Sequence, residues 1–196
     1  MVLAIRETQE KRESYETQIE VFLRLEGNGE ISIDMPVPFF PHLLRSMAFY
    51  ARWDLTLKAR GDVEVDIHHI TEDTGIVLGQ ALRNVLDQDK QIQRFSTTFL
   101  PMDDAFSMAA VDLSGRSYLL YETPDLGDRV GDFEIPLVEE FLRALVNNTK
   151  MTLHAKIWWG KNNHHGLESL FKAIGKSLGD AAERTGHGIP STKGLI

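Results

Sequence analysis

The sequence contains no cysteine. Disulfides, thiolate metal sites and cysteine nucleophiles are therefore excluded, and any bound metal must be held by nitrogen and oxygen. Long apolar runs are missing too. No stretch reaches the roughly 20 residues a membrane helix needs, and the N-terminus lacks the apolar core of a signal peptide, so the cytoplasm is the expected compartment and no membrane contact is expected. Positive charge is scarce: 21 Lys and Arg face 29 Asp and Glu, a net charge of -8 over 196 residues. Phosphodiester binding needs a basic surface, so nucleic acid is not an expected partner, although a local basic cluster suffices for a small phosphorylated molecule. What remains, 42% hydrophobic and 26% charged residues, is the composition of a globular chain long enough for one large domain or two small ones.

Along the chain, Thr17 to Leu25 alternates polar and apolar as a strand does, Gly27-Asn28-Gly29 makes a turn, and Glu30 to Met35 alternates again, which predicts a hairpin between the two. Pro41 suits the first turn of a helix reaching Tyr50. Leu55 to Ala59 and Val63 to Ile67 read as strands, and a long helix follows to about Leu86. Strands are expected again over Phe95 to Leu100, Ser107 to Leu113, Tyr118 to Glu122 and Met151 to Trp159, with helices from Pro136 to about Asn147 and from His164 to Leu178.

The second half retraces the first. Leu55-Thr-Leu-Lys-Ala59 matches Met151-Thr-Leu-His-Ala155, and, with a small shift, Leu43-Leu-Arg-Ser-Met47 matches Phe141-Leu-Arg-Ala-Leu145. Such self-similarity marks a duplicated supersecondary unit. We divide the chain into residues 1–90, residues 91–182 and a tail, 183–196. Strands followed by helices in each half predict an α+β fold, a sheet with helices on one face.

The duplication also copies a polar motif. His68-His69-x-x-Glu72 opens the long helix of the first half, and His164-His165-x-x-Glu168 opens that of the second. On a helix, residues four apart share a face, so His68 and Glu72, or His164 and Glu168, reach one metal ion. The second histidine of each pair is turned by about 100° toward another partner. A single copy is equally a polar helix start whose Glu complements the helix dipole. Two copies at matched positions, with little identity between, are hard to explain by packing. His42 and His154 stand where they add ligands or serve as hydrogen-bonded core histidines. His187 sits in a glycine-flanked tail and reads as solvated. Lys172 follows Glu168 by one helical turn on the motif's own face. The tail segment Gly188-Ile-Pro-Ser-Thr-Lys-Gly194 interleaves hydroxyls and a lysine with glycines, a composition for cradling phosphate or, by position, for a frayed terminus.

These residues resemble the imidazoleglycerol-phosphate dehydratase family over nearly the whole chain. The similarity rests on Tyr15-Glu-Thr17, Phe39-Phe-Pro-His-Leu-Leu44, Asp66 to Gly75, Pro101-Met-Asp-Asp-Ala105, Val111 to Tyr118, Val130 to Phe133, Asn163 to Glu168 with Phe171-Lys-Ala173, and Ile189 to Gly194. It implies duplicated ferredoxin-like halves, an octahedral homo-oligomeric cage of twenty-four subunits with active sites at subunit interfaces, and two Mn2+ ions per active site. The ligands it implies are His42, His68, His69, Glu72, His154, His164, His165 and Glu168. Helical spacing pairs His68 with Glu72 and His164 with Glu168; the partition inferred from the resemblance adds His165 and His154 to the first pair and His69 and His42 to the second, with the two sets drawn from one subunit or from different ones. Pro41, Ser46 and Tyr50 depart from the family pattern, which puts contacts to the substrate's glycerol and phosphate portion near Ser46 in question.

The implied reaction is dehydration of imidazoleglycerol phosphate to imidazole acetol phosphate in histidine biosynthesis, through an imidazolate stabilised by the two metals. Glu16 is the candidate for proton transfer or for positioning the substrate hydroxyl, Asp103 a weaker one, and Arg94, Arg116, Lys172, Ser191, Thr192 and Lys193 are expected on the phosphate. Two readings from other classes compete: an assembly protein stapled by metal, and a metal-dependent phosphoesterase.

Overall fold

The computed structural model describes residues 4–89, 91–186, 190–192 and 194. The first half runs β1 (Glu7–Glu13), β2 (Thr17–Arg24), β3 (Ile31–Asp34), α1 (Phe40–Tyr50), β4 (Asp54–Gly61) and α2 (His68–Asp87). The second runs β5 (Phe95–Met102), β6 (Ala105–Asp112), β7 (Tyr118–Glu122), the short pair β8 (Arg129–Val130) and β9 (Phe133–Glu134), then α3 (Leu137–Thr149), β10 (Thr152–Trp159) and α4 (Asn163–Ala181). The strand orders are β1-β2-β4-β3 and β5-β6-β10-β7, the same topology twice. This is the expected α+β architecture of duplicated ferredoxin-like halves, each a sheet with its helices on one face.

Period-2 patterning decides which face of each sheet is covered. Ile19, Val21 and Leu23 of β2 and Leu55, Leu57 and Ala59 of β4 point inward and are fully buried, as are Ala109 of β6 and Leu153 of β10. The helices lie between the two sheets and pack across the halves, α2 on α3 and α1 on α4. One apolar core therefore runs through both halves. Close helix approach is what requires glycine here. A Cβ on Gly75 would come within 2.6 Å of the Phe141 carbonyl oxygen, and one on Gly179 within 2.6 Å of that of Ala51. A Cβ on Gly175 would fall inside the Met47 carbonyl group, 2.8 Å from its carbon.

The outer faces differ in character. On the first sheet, Lys11, Glu20, Lys58 and Asp34 stand side by side in register with alternating sign. On the second, Phe99 stacks on Phe106 at 6.1 Å and Phe106 on Trp159 at 5.0 Å, while Phe95, Phe99, Trp158 and Trp159 are exposed.

Three local expectations are corrected. β1 was not expected, because ETQEKRE carries no apolar face. It takes the free edge of β2. The expected β2–β3 hairpin does not form, since both edges of β2 are occupied by β1 and β4. β3 instead runs parallel to β4. The intervening turn is drawn to β4, where the Asp54 Oδ1 accepts from the Asn28 N–H at 2.7 Å and the Glu30 N–H at 2.9 Å. Finally, residues 63–67 are not a strand: β4 ends at Gly61 and a turn leads into α2.

Candidate metal and substrate site

Each motif helix starts on an anchored turn. Asp66 Oδ1 accepts the His68 N–H at 2.8 Å, and the Asn162 side chain caps α4 by accepting the His164 N–H at 2.9 Å. The paired histidines are therefore fixed at the first turn of α2 and of α4.

The second motif meets α1. Pro41 sits in the first turn of α1, next to His42. His42 Nε2 lies 3.2 Å from Glu168 Oε2, and His164 Nε2 lies 3.1 Å from the same oxygen. Among the described residues, these three form the group whose ligand atoms all fall within 4.8 Å of one another. Phe39 packs edge-on against the His164 ring at 4.8 Å and shapes the wall behind it. Lys172 Nζ pairs with the other Glu168 oxygen at 2.9 Å and lies 5.7 Å from the Tyr50 ring. Burial pushes the Glu168 carboxyl up, but the bonds from Lys172 and His42 outweigh it and hold the group below its ordinary value.

The first motif lies apart from this group. His68 Nε2 is 3.6 Å from Glu72 Oε2, as helical spacing requires, and His69 Nδ1 sits 3.2 Å from Asp62. Glu16 Oε2 approaches His69 Nδ1 at 3.9 Å and is otherwise exposed. His165 Nδ1 lies 2.6 Å from Asp104 Oδ1, with Asp103 at 3.9 Å from its Nε2. The Asp104 bond raises the His165 pKa, and the His165 bond with the backbone N–H groups of Asn162 and Lys161 holds Asp104 far below the carboxylate range. Similarly, Asp62 raises His69. His154 projects from the outer face of the second sheet, because Leu153, Ala155 and Ile157 alternate inward; it lies 5.7 Å from the Tyr118 ring.

The phosphate candidates are scattered. Arg94, at a positive φ of 72°, spans Asp112 at 2.8 Å and the Pro190 carbonyl at 2.8 Å, so it touches the described part of the tail. Arg116 is exposed and 3.9 Å from Asp112. Ser191 and Thr192 lie in the tail, where the Ser191 carbonyl accepts the Gly194 N–H at 3.0 Å. Lys193, like His187, lies outside the described residues.

Sequence reasoning missed Asp62 and Asp104. Both sit in turns, and their only signal was acidity at a turn beside a histidine motif. It also missed Asp73, which accepts from the Thr17 hydroxyl and, at 3.0 Å, from Arg12 Nε, tying β1 and β2 to α2 beside Glu72.

The family model of imidazoleglycerol-phosphate dehydratase matches residues 35–178, which covers both motifs. The chain belongs to the imidazoleglycerol-phosphate dehydratase family. Similar members include the imidazoleglycerol-phosphate dehydratase of Symbiobacterium thermophilum, 47% identical over 99% of this chain and 94% of that one. That of Streptococcus sanguinis is 48% identical over 98% of this chain and all of its own length. Among solved structures, the Staphylococcus aureus imidazoleglycerol-phosphate dehydratase superposes with a TM-score of 0.82 at 35% identity, covering 93% of this chain and 100% of that one. The Pyrococcus furiosus family member, in complex with (S)-C348, gives a TM-score of 0.82 at 33% identity over 95% and 99% of the two chains.

Proposed function

We propose that this chain removes water from imidazoleglycerol phosphate to give imidazole acetol phosphate, a hydro-lyase step of histidine biosynthesis, and that it does so with two manganese ions per active site. The observation that carries the reading is the convergence of His42, His164 and Glu168 from two helices, with Lys172 on the far oxygen of Glu168. Two imidazole nitrogens and a carboxylate oxygen are a donor set that suits a divalent cation such as Mn2+. A bare structural staple has no use for the added ammonium, whereas a phosphorylated substrate does.

When bound, the cations supply Lewis acidity toward the substrate's imidazole ring. The residues of the chain do the rest. His42, His164 and Glu168 form one part of the ligand set; His68 with Glu72, His69, His165 and His154 supply the remainder. A family member's donors spread over separate surfaces of one chain are completed by a second copy. The exposed aromatic face of the second sheet supports such self-association, for which we propose the cage of twenty-four subunits. Glu16, whose side chain is exposed and makes no hydrogen bond among the described residues, is suited to move the proton at the substrate carbon or to position the departing hydroxyl. Asp103, more exposed still at 73%, is the weaker candidate. Lys172, Arg94, Arg116, Ser191, Thr192 and Lys193 hold the phosphate. For Arg94 this requires exchanging Asp112 for the substrate.

The test is turnover of imidazoleglycerol phosphate by metal-free protein with and without added manganese. Restored loss of water with the phosphate retained supports the proposal. Phosphate release instead identifies a phosphoesterase.

A further inference from the structure

The second histidine of each motif is held through the same atom, Nδ1, by an aspartate that the metal reading above does not use. His165 Nδ1 meets Asp104 Oδ1 at 2.6 Å, and His69 Nδ1 meets both oxygens of Asp62 at 3.2 Å. A carboxylate only accepts, so each contact places the ring proton on Nδ1 and leaves the Nε2 lone pair free. Asp104 is itself fixed: its Oδ2 accepts the backbone N–H groups of Lys161 at 2.6 Å and Asn162 at 2.8 Å. It thereby joins the β5–β6 turn to the start of α4.

The two halves reach this arrangement by different routes. The β5–β6 turn supplies Asp104, and the corresponding β1–β2 turn supplies Glu16, which stops 3.9 Å from His69 Nδ1. In the first half the bond is made by Asp62, from the connection between β4 and α2. The carboxylate that orients histidine in one half is thus relieved of that task in the other.

We propose that Asp62 and Asp104 are positioning residues that set the tautomer of His69 and His165, presenting Nε2 as the ligand atom, and that Asp62 leaves Glu16 free to face substrate. The inference rests on the metal reading, because Nε2 matters only if a cation takes it. Carboxylate partners of this kind are worth about 10–100-fold in metal affinity.

The test is Asp104→Asn. Its amide oxygen can keep the Lys161 and Asn162 N–H groups, while its NH2 faces Nδ1 and can only donate. The ring proton must then move to Nε2. Nitrogen-15 NMR of the metal-free protein, at a pH where the rings are neutral, should show an Nδ1–H tautomer for His165 in the parent and Nε2–H in the variant. Calorimetric titration with Mn2+ should show affinity falling by about 10–100-fold with an unchanged melting temperature. Asp62→Asn should move His69 in the same sense, by less, since its bond is longer, 3.2 Å against 2.6 Å. Unchanged tautomers in both variants overturn the proposal, as does an unchanged Mn2+ affinity of a variant whose tautomer has flipped. A parent protein that takes up no Mn2+ instead overturns the metal reading, and the NMR comparison still decides the positioning role.

Discussion

Replacing Gly175 by alanine should loosen the α1–α4 packing that holds His42 against Glu168. The added Cβ would lie 2.8 Å from the Met47 carbonyl carbon and 2.9 Å from its Cα, both backbone atoms of α1. Carbon atoms settle at about 3.5–4.0 Å, so the helices must part by roughly 1 Å. Overpacking of this kind costs about 1–3 kcal/mol, and the removal of a helix glycine returns about 1 kcal/mol at most. We expect a net loss of up to about 2 kcal/mol, or up to roughly 8 °C in Tm for a domain of this size. A displacement near 1 Å also breaks the 3.2 Å contact between His42 on α1 and Glu168 on α4. Metal uptake should therefore weaken along with stability. Gly166→Ala is the control, because its Cβ finds ordinary contacts at 3.6–3.8 Å. It should be neutral or stabilise by up to about 1 kcal/mol. Thermal unfolding of the two variants decides the matter. If Gly175→Ala melts with Gly166→Ala, glycine is not what sets the α1–α4 distance.

Other expectations follow from single contacts. His164→Ala should abolish manganese uptake at the site it shares with His42 and Glu168, read by calorimetry; full occupancy would show that the ligand set is misassigned. Phe106→Asp places a charge in the stacked Phe99, Phe106 and Trp159 face, and sedimentation should show a smaller assembly than the parent's; identical sedimentation would remove that face from the interface. Asp73→Ala removes the carboxylate that accepts from Arg12 and from the buried Thr17 hydroxyl, leaving that hydroxyl its 3.3 Å contact with Ser14 Oγ, and should cost about 1–3 kcal/mol in denaturant unfolding, against near zero if Arg12 and Thr17 find water. Asp89 is held below the usual carboxylate range by the Gln91 N–H and by Arg184. Because its folded pKa is depressed, its contribution is complete above about pH 4 and fades as pH falls toward the folded value. Asp89→Asn should flatten that acid limb of the stability curve, and an unchanged limb would assign the loss to other groups.

Most of the scaffold was legible because burial enforces periodicity. β2 and β4 alternate cleanly, and α2 and α4 carry apolar faces long enough to fix their period. β1 escaped notice because an edge strand with polar residues on both faces carries no such signal. The partner of β3 was misjudged for a related reason: pairing depends on which edges are already taken, and local turn chemistry does not report that. At the site, the paired histidines were visible as repeated spacing. The partner of Glu168 was visible only as a lone His42, since α1 and α4 meet across more than a hundred residues of chain. Asp62 and Asp104 were hidden because a turn aspartate is ordinarily a solvated residue, and only the folded geometry turns one oxygen toward a ring.

The most direct measurement is the product formed from imidazoleglycerol phosphate by chelator-stripped protein before and after manganese is added back. Silence without the metal, and imidazole acetol phosphate with its phosphate still attached once the metal returns, is the predicted result. Undiminished dehydration by fully stripped protein would contradict the role given to His42, His164, Glu168 and their counterparts.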